Sequence, residues 1–439
     1  MNESHIFPTW KNFQSFFRCL SSLNDAVNQW KDRINSKSIM SLRLRIIFLV
    51  LFFPFCVSAQ NPWRVVPTDS LTDLSDIINQ IFNKNLLKDT AEQGRKHIQV
   101  GVLPAVGYTL QTGFAVVVSA NVVIYKRNPK DSSAPSTIIT SISYTQKNQV
   151  VLPFQANLYF NNNKTILVSD FRYLKYPSYT YGLGMGTSPA DQTQLDYQYF
   201  KFHQSVLFEI HPHIFIGGGY ALDYFWDVEQ VAPQSGPNSE FENYGITGTS
   251  ISSGLLLNLV RDTRDNPINA YKGSYSNILF APKFQFMGSD YTWSSLLLEW
   301  RGYFRFPANS NNILALWSYN WLTLSGKPPY LMLPSTAWDK TFNTGRGYIQ
   351  GRFRSNNMLD AESEYRIQLT RNGLFGMVVF ANFESFSKIN TWDFDAIAPA
   401  GGIGLRVKLN KYSRTNIAID YGWGRQGSQG FFVNLGEAF

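Results

Sequence analysis

From residue 97 to the end of the chain, apolar and polar positions alternate with a period of two. In 291–306 the even positions are Leu296, Leu298, Trp300, Phe304 and Phe306, and the odd ones include Glu299, Arg301, Tyr303 and Arg305. In 361–370, Glu362, Glu364, Arg366 and Gln368 alternate with Tyr365, Ile367 and Leu369. In 197–211, Lys201, His203, Glu209 and His211 oppose Phe200, Phe202, Val206, Phe208 and Ile210. This is strand periodicity. A soluble sandwich turns its apolar face inward, whereas charges recurring deep within long strands fit a polar lumen with lipid outside. Open edges do not survive in lipid, so such a sheet must close.

Sixteen runs carry the pattern, at 97–109, 113–126, 136–146, 150–160, 164–175, 194–210, 214–230, 248–261, 272–286, 290–306, 312–325, 360–370, 374–387, 398–409, 414–425 and 430–439. The expected fold is all-β, a 16-stranded antiparallel transmembrane β-barrel closed first strand to last, with Trp300, Phe304 and Trp423 outward. An even number puts both ends on one side. Connections after odd-numbered runs include the long ones, 175–193, 231–247 and 326–359. Those on the other side are short, as at Asn161-Asn162-Asn163 and Arg371-Asn372-Gly373. That asymmetry is the outer-membrane pattern and places both mature termini in the periplasm of a Gram-negative cell.

Ahead of the barrel (96–439) the period changes. Ser70 with Asp73 resembles a capping box, and Leu71, Leu74, Ile77, Ile78, Ile81 and Phe82 recur at helical spacing. The lead-in 60–95 is therefore expected to hold one short N-terminal helix, 70–87, resting against the periplasmic end of the barrel or within its lumen. Upstream, Met40-Ser41-Leu42-Arg43-Leu44-Arg45, the apolar run Ile46–Phe55 and Val57-Ser58-Ala59-Gln60 read as a signal peptide over 40–59, cleaved after Ala59. Residues 1–39 read as a mis-assigned upstream extension.

Composition sharpens this picture. Charged residues are 16% and aromatic residues 15%, with 23 Tyr and 34 Phe, while mean hydropathy is −0.18. Helical membrane proteins are excluded by dispersed apolar residues, and a soluble domain carries about 25% charged residues. Residues 1–59 hold seven Lys/Arg and three Asp/Glu, so the net charge of +8 falls to +4 after cleavage, too little for nucleic acid. Cys19 and Cys56 both precede the cleavage point, which removes thiol chemistry. Four histidines remain: His97, His203, His211 and His213. The His211-Pro212-His213 turn lacks a third ligand, His203 reads as a lumen residue, and no Ser–His or Asp–His spacing singles out a rim site. No catalytic residue, metal site or cofactor is expected, and the chain is read as not an enzyme.

One stretch stands apart. Thr344-Gly345-Arg346-Gly347-Tyr348-Ile349-Gln350-Gly351-Arg352-Phe353-Arg354 lies inside the long connection 326–359. Connections of that length without a helix are uncommon in compact domains and are usually functional or disordered. Three arginines do not suit a lipid-facing strand. Two readings are open, a solvated surface excursion and a loop buried among polar groups.

Three places then line up. Arg346, Gly347 and Tyr348 lie in the sixth outward loop. The turn after the eighth run carries Asp262, Thr263, Arg264, Asp265, Asn266 and Pro267, with Lys272-Gly273-Ser274 opening the next strand. The barrel begins with Leu103-Pro104-Ala105-Val106-Gly107-Tyr108, makes its first tight turn at Thr112-Gly113, and closes on a strand with Phe431, Val433 and Leu435 outward, ending in Phe439. Over 95–439 this resembles the BamA/TamA superfamily of outer-membrane assembly and translocation barrels, the bacterial surface antigen family. The resemblance implies that the loop folds back into the lumen and that Arg346 meets Glu364 on the twelfth strand. It also implies an aspartate on the thirteenth, where this chain has Asn382, with Glu384 two residues on along the same face. Family members carry repeated periplasmic domains, and 60–95 is too short for one. The role implied is outer-membrane protein assembly, translocation or lipid handling. The partners implied are outer-membrane lipids and either unfolded outer-membrane proteins or an accessory complex. The competing readings are a porin-like passive channel and a structural barrel anchoring a partner.

Overall fold

The computed structural model describes residues 71–74, 76–77, 98–109, 111–124, 136–231, 241, 244, 248–308, 310–411 and 413–439. The expected signal peptide and upstream extension lie outside them, as do His97 and most of the expected lead-in helix. The strands are β1 (Ile98–Thr109), β2 (Gly113–Ile124), β3 (Ser136–Thr145), β4 (Val150–Phe160), β5 (Thr165–Lys175), β6 (Ser178–Thr180), β7 (Thr193–His211), β8 (Ile214–Val231) and β9 (Gly248–Asp262). They continue as β10 (Gly273–Lys283), β11 (Trp293–Arg305), β12 (Ile313–Ser325), β13 (Asn357–Gln368), β14 (Phe375–Phe386), β15 (Ala398–Asn410), β16 (Thr415–Trp423) and β17 (Gln429–Leu435).

All sixteen expected runs are strands. The extra one, β6, is a three-residue piece inside the connection 176–193 that pairs with the start of β7. Sequence neighbours are joined by antiparallel ladders from β1 round to β17, with β5 pairing to β7. The expected closure of first strand on last is incomplete. Among the described residues no ladder joins β1 to β17, although the two lie side by side, a Cβ built on Gly107 falling 3.8 Å from Val433 Cβ. The last strand is also shorter than expected, seven residues against the twelve of β1.

Two faces follow from the alternation. Phe208, Ile210, Ile278, Phe304, Ile403, Trp423 and Phe431 are exposed on the outside. Trp300 shares the outward face of β11 with Phe304, while Glu299 turns inward, accepting a hydrogen bond from Trp317 Nε1 at 3.2 Å, and pairs with Arg301. Polar residues fill the inside. Asp223 on β8 is 1% exposed and accepts hydrogen bonds from Tyr199 (2.7 Å) and Lys283 (3.1 Å), with His203 Nε2 at 2.9 Å. The buried Asp223 carboxylate is thus matched by donors on neighbouring strands, which offsets the cost of taking a charge out of water.

Toward the rim away from the chain ends, an apolar cluster packs Phe225 on β8 with Phe241, Tyr330, Leu331 and Leu333, all nearly inaccessible. At the opposite rim the lead-in touches the barrel. Leu74, Asp76 and Ile77 are helical, and the rest of the expected 70–87 helix beyond Ile77 lies outside the described residues. Asp73 and Asp76 form a reciprocal pair there, and Ser70 lies outside the described residues. Asp76 N donates to Asp73 Oδ1 (3.0 Å) and Asp73 N donates to Asp76 Oδ2 (3.1 Å). Asp73 is only 3% exposed because its other oxygen accepts from Lys411 N at 3.0 Å, while Thr72 N donates to Asn372 O at 2.9 Å.

Candidate functional site

The connection between β12 and β13 enters the barrel. From Pro328 to Asn356 nearly every residue is buried, so the solvated reading does not hold. The loop crosses the lumen. Lys340 O accepts from Arg172 Nη2 on β5 at 3.0 Å, and Arg346 lies against β13 and β16 on the other side. Asp339 organises the turn before the arginine, its Oδ1 accepting from Asn343 N (2.7 Å) and Thr344 N (2.8 Å).

Arg346 has no accessible side-chain surface. Its Nη2 donates to Glu362 and, at 2.5 Å, to Glu364, both on β13. Its Nη1 donates to Asp420 on β16 at 2.6 Å. Its guanidinium lies 3.9 Å from the Phe380 ring centroid. Burial opposes the charged form, but the three carboxylates outweigh it and hold the guanidinium pKa well above the ordinary arginine value. The network extends further. Arg366 Nη2 reaches Glu364 at 2.6 Å, and Arg406 bridges Asp420 (2.5 Å) and Glu437 (2.7 Å).

The flanking glycines are required by space and by backbone. Gly347 sits at φ +114, and a Cβ there would fall 2.8 Å from Ala400 Cβ and 3.0 Å from Trp423 O. Gly345, at φ +67, would drive a Cβ into the Glu384 carboxylate. Tyr348 locks the next step. Its hydroxyl donates to Pro399 O at 2.7 Å and accepts from Arg425 N at 2.9 Å.

Not every expected partner takes the expected part. Glu364 contacts Arg346, but Asn382 and Glu384 do not touch its guanidinium. Asn382 Nδ2 donates to the Arg346 carbonyl at 2.8 Å, and Glu384 accepts from Thr336 Oγ1 at 2.8 Å. The side chain of Arg346 points from the loop toward β13 and β16, past β14, so strand order alone misassigns the second acid. Glu362 and Asp420 take that place. Both stand at inward positions of the alternating pattern, which was the available signal.

The turn after β9 is pinned as a unit. Asp262 pairs with Arg264 (2.7 Å), Pro267 O accepts from Arg264 Nη1 (3.2 Å), and Asp265 binds Tyr271 N (2.9 Å) and Arg414 (2.7 Å). Asn269 Nδ2 then reaches Glu437 at 3.1 Å, bringing this turn to the end of the chain. Phe431 and Leu435 face outward as expected, with Val433 between them on the same face. Phe439 does not extend the strand. It is buried in the lumen, stacked on Trp317 with ring centroids 5.1 Å apart. His211 and His213 are exposed at the β7–β8 turn.

No family model matches this sequence, and no curated protein does. Solved structures do. BamA from Haemophilus ducreyi lacking POTRA domains 1–3 aligns with 14% identity and a TM-score of 0.50, over 78% of this chain and 71% of that one. CdiB from Acinetobacter baumannii aligns with 12% identity and a TM-score of 0.48, over 79% of this chain and 61% of that one. At such identity the likeness speaks to architecture. Joined to the sixteen long antiparallel strands described above, it shows that this chain shares the β-barrel architecture of that BamA structure.

Proposed function

We propose that this chain is an outer-membrane transmembrane barrel that assists the assembly or translocation of other outer-membrane proteins, with its β1/β17 seam as the route. The observation that carries the reading is the pairing of a blocked lumen with an unladdered seam. The loop 326–356 crosses the interior and is fixed at both walls, so the barrel is ill suited to passive flow along its axis. Among the described residues the seam lacks the ladder that joins the other neighbouring strands, and an unpaired edge in lipid is costly and reactive. In this reading the exposed aromatics of the outer face contact outer-membrane lipid, both ends of the mature chain face the periplasm, and the side chains act by position rather than catalysis. Its partners are unfolded outer-membrane proteins or an accessory complex.

Reconstitution tests this. In liposomes, the purified barrel should speed the insertion of an unfolded outer-membrane β-barrel. A disulfide between cysteines placed at Gly107 and Val433 should abolish the effect, and reduction should restore it. Insertion indifferent to that cross-link removes the seam from the mechanism. In planar bilayers, large, steady, ohmic conductance would instead identify a porin.

A further inference from the structure

The last strand leaves the sheet early and turns inside. β17 ends at Leu435, and Gly436, at φ +105, redirects the chain. Had the strand continued, alternation would have set Glu437 on the outer face with Phe431 and Leu435, a poor place for a carboxylate. Within the lumen all three following residues are held. Glu437 accepts from Arg406 Nε (2.7 Å), Asn269 Nδ2 (3.1 Å) and Asn416 Nδ2 (2.5 Å). Ala438 O accepts from Asn343 Nδ2 at 3.1 Å and Thr341 Oγ1 at 3.5 Å, both on the internal loop. Phe439 stacks on Trp317, and the Arg366 guanidinium lies 5.3 Å from its ring centroid. Just upstream, Asn434 Nδ2 donates to Asn343 Oδ1 at 2.9 Å.

The two sides of β17 therefore differ. On one side a ladder joins it to β16. On the other, where it meets β1, no ladder is present among the described residues. The bonds that fix the residues after it run inward, to the loop and the arginine network. We propose that Glu437-Ala438-Phe439 is an internal latch, which ties the last strand to the loop between β12 and β13 and so limits how far the β1/β17 seam parts. Loop and seam then move as one body. A displacement of Asn343 or Arg366 loosens the seam without any contact to β1. The latch rests on the proposed role of the seam for its biological meaning, and its test does not.

Cysteines at Gly107 and Val433 report the seam directly, because a 3.8 Å Cβ separation is the mean for disulfides. In G107C/V433C barrels in detergent or liposomes, mild oxidation should cross-link β1 to β17 readily. Adding Glu437→Gln and Phe439→Ala should lower the initial cross-linking rate severalfold and speed amide exchange in 429–435. Asn343→Ala, which leaves the tail sequence intact and removes the Asn343 bonds to Ala438 O and Asn434, should do the same to a lesser degree. Heat-modifiable migration on gels identifies the folded fraction to be compared. An unchanged or higher rate in both backgrounds overturns the latch. Cross-linking that responds as expected in a barrel with no insertion activity would refute the transport role alone, so the two ideas fail separately.

Discussion

Arg346 Nη1 lies 2.6 Å from Asp420 Oδ2, so a loop that leaves the sheet after β12 is bolted to the strand next to last. The three acids around this guanidinium are not equivalent. Glu364 also has Arg366, and Asp420 also has Arg406, whereas Arg346 is the one ion-pair partner of Glu362 among the described residues.

Removing the arginine should therefore strand Glu362 above all. Arg346→Ala is expected to cost roughly 3–5 kcal/mol, the range for breaking a buried pair from one side. Glu362→Gln in the same chain should recover a large share of that loss, while Glu364→Gln should recover less because Arg366 then loses its nearer carboxylate, at 2.6 Å, and is left with Glu437 at 3.9 Å. Arg346→Lys should behave nearly as poorly as alanine, since one ammonium does not span acids on two strands. Thermal unfolding read by heat-modifiability gives all four values. Simple additivity of Arg346→Ala and Glu362→Gln would show that the two do not interact.

Gly347→Ala should destabilise the barrel by about 1–3 kcal/mol through its backbone conformation, before any clash is counted. Ala400→Gly relieves the 2.8 Å approach but leaves φ at +114, so it should rescue only in part. Full rescue would mean that crowding rather than backbone strain excludes a side chain there. The readout is again the melting temperature in detergent.

On the other wall, Asp223→Ala should leave Lys283, 2% exposed, without its carboxylate. A loss on the order of 3–5 kcal/mol is expected for that variant. The double variant with Lys283→Met should be more stable than Asp223→Ala alone. If it is less stable, lumen water solvates the lysine and the pair contributes little.

Asp73→Ala removes both the bond from Asp76 N and the bond from Lys411 N, a combined loss of about 1–2 kcal/mol by the usual worth of a cap. The barrel itself should keep its thermal stability, because the strands do not depend on the lead-in. Limited proteolysis ahead of Ile98 should accelerate. Cleavage as slow as in the parent would show that residues beyond Asp73 hold the segment.

Much of this architecture is legible in the sequence, because a barrel writes itself as alternation. Glu299 against Trp300 and Glu364 against Tyr365 fix which face is which, and sixteen runs with unequal connections give the order. What alternation does not carry is geometry across the lumen. The Arg346–Asp420 contact spans 74 residues and depends on how strands curve round to face one another, which no local pattern encodes. The tail escaped for a related reason. Phe431, Val433 and Leu435 invite continuation to Phe439, and the signal against it is one misplaced polar residue, Glu437, behind one glycine. The loop was ambiguous until burial settled it, since glycine and arginine serve solvated turns and buried anchors alike.

The long reach of the Arg346 contacts bears on the order in which the molecule is made. Glu362 and Glu364 follow the arginine closely in the chain, but Asp420 is on β16, and the Arg406 and Glu437 that extend the network lie on β15 and beyond β17. Until those strands have joined the sheet, the guanidinium has only part of its counter-charge, and burying it would be unfavourable. The loop can settle only once the final hairpin is in place, against the entropy of closing so long a segment. Its seating is thus a late event in biogenesis. A barrel halted before its last hairpin would present this arginine-rich segment to water, where proteases that clear unfinished chains could find it.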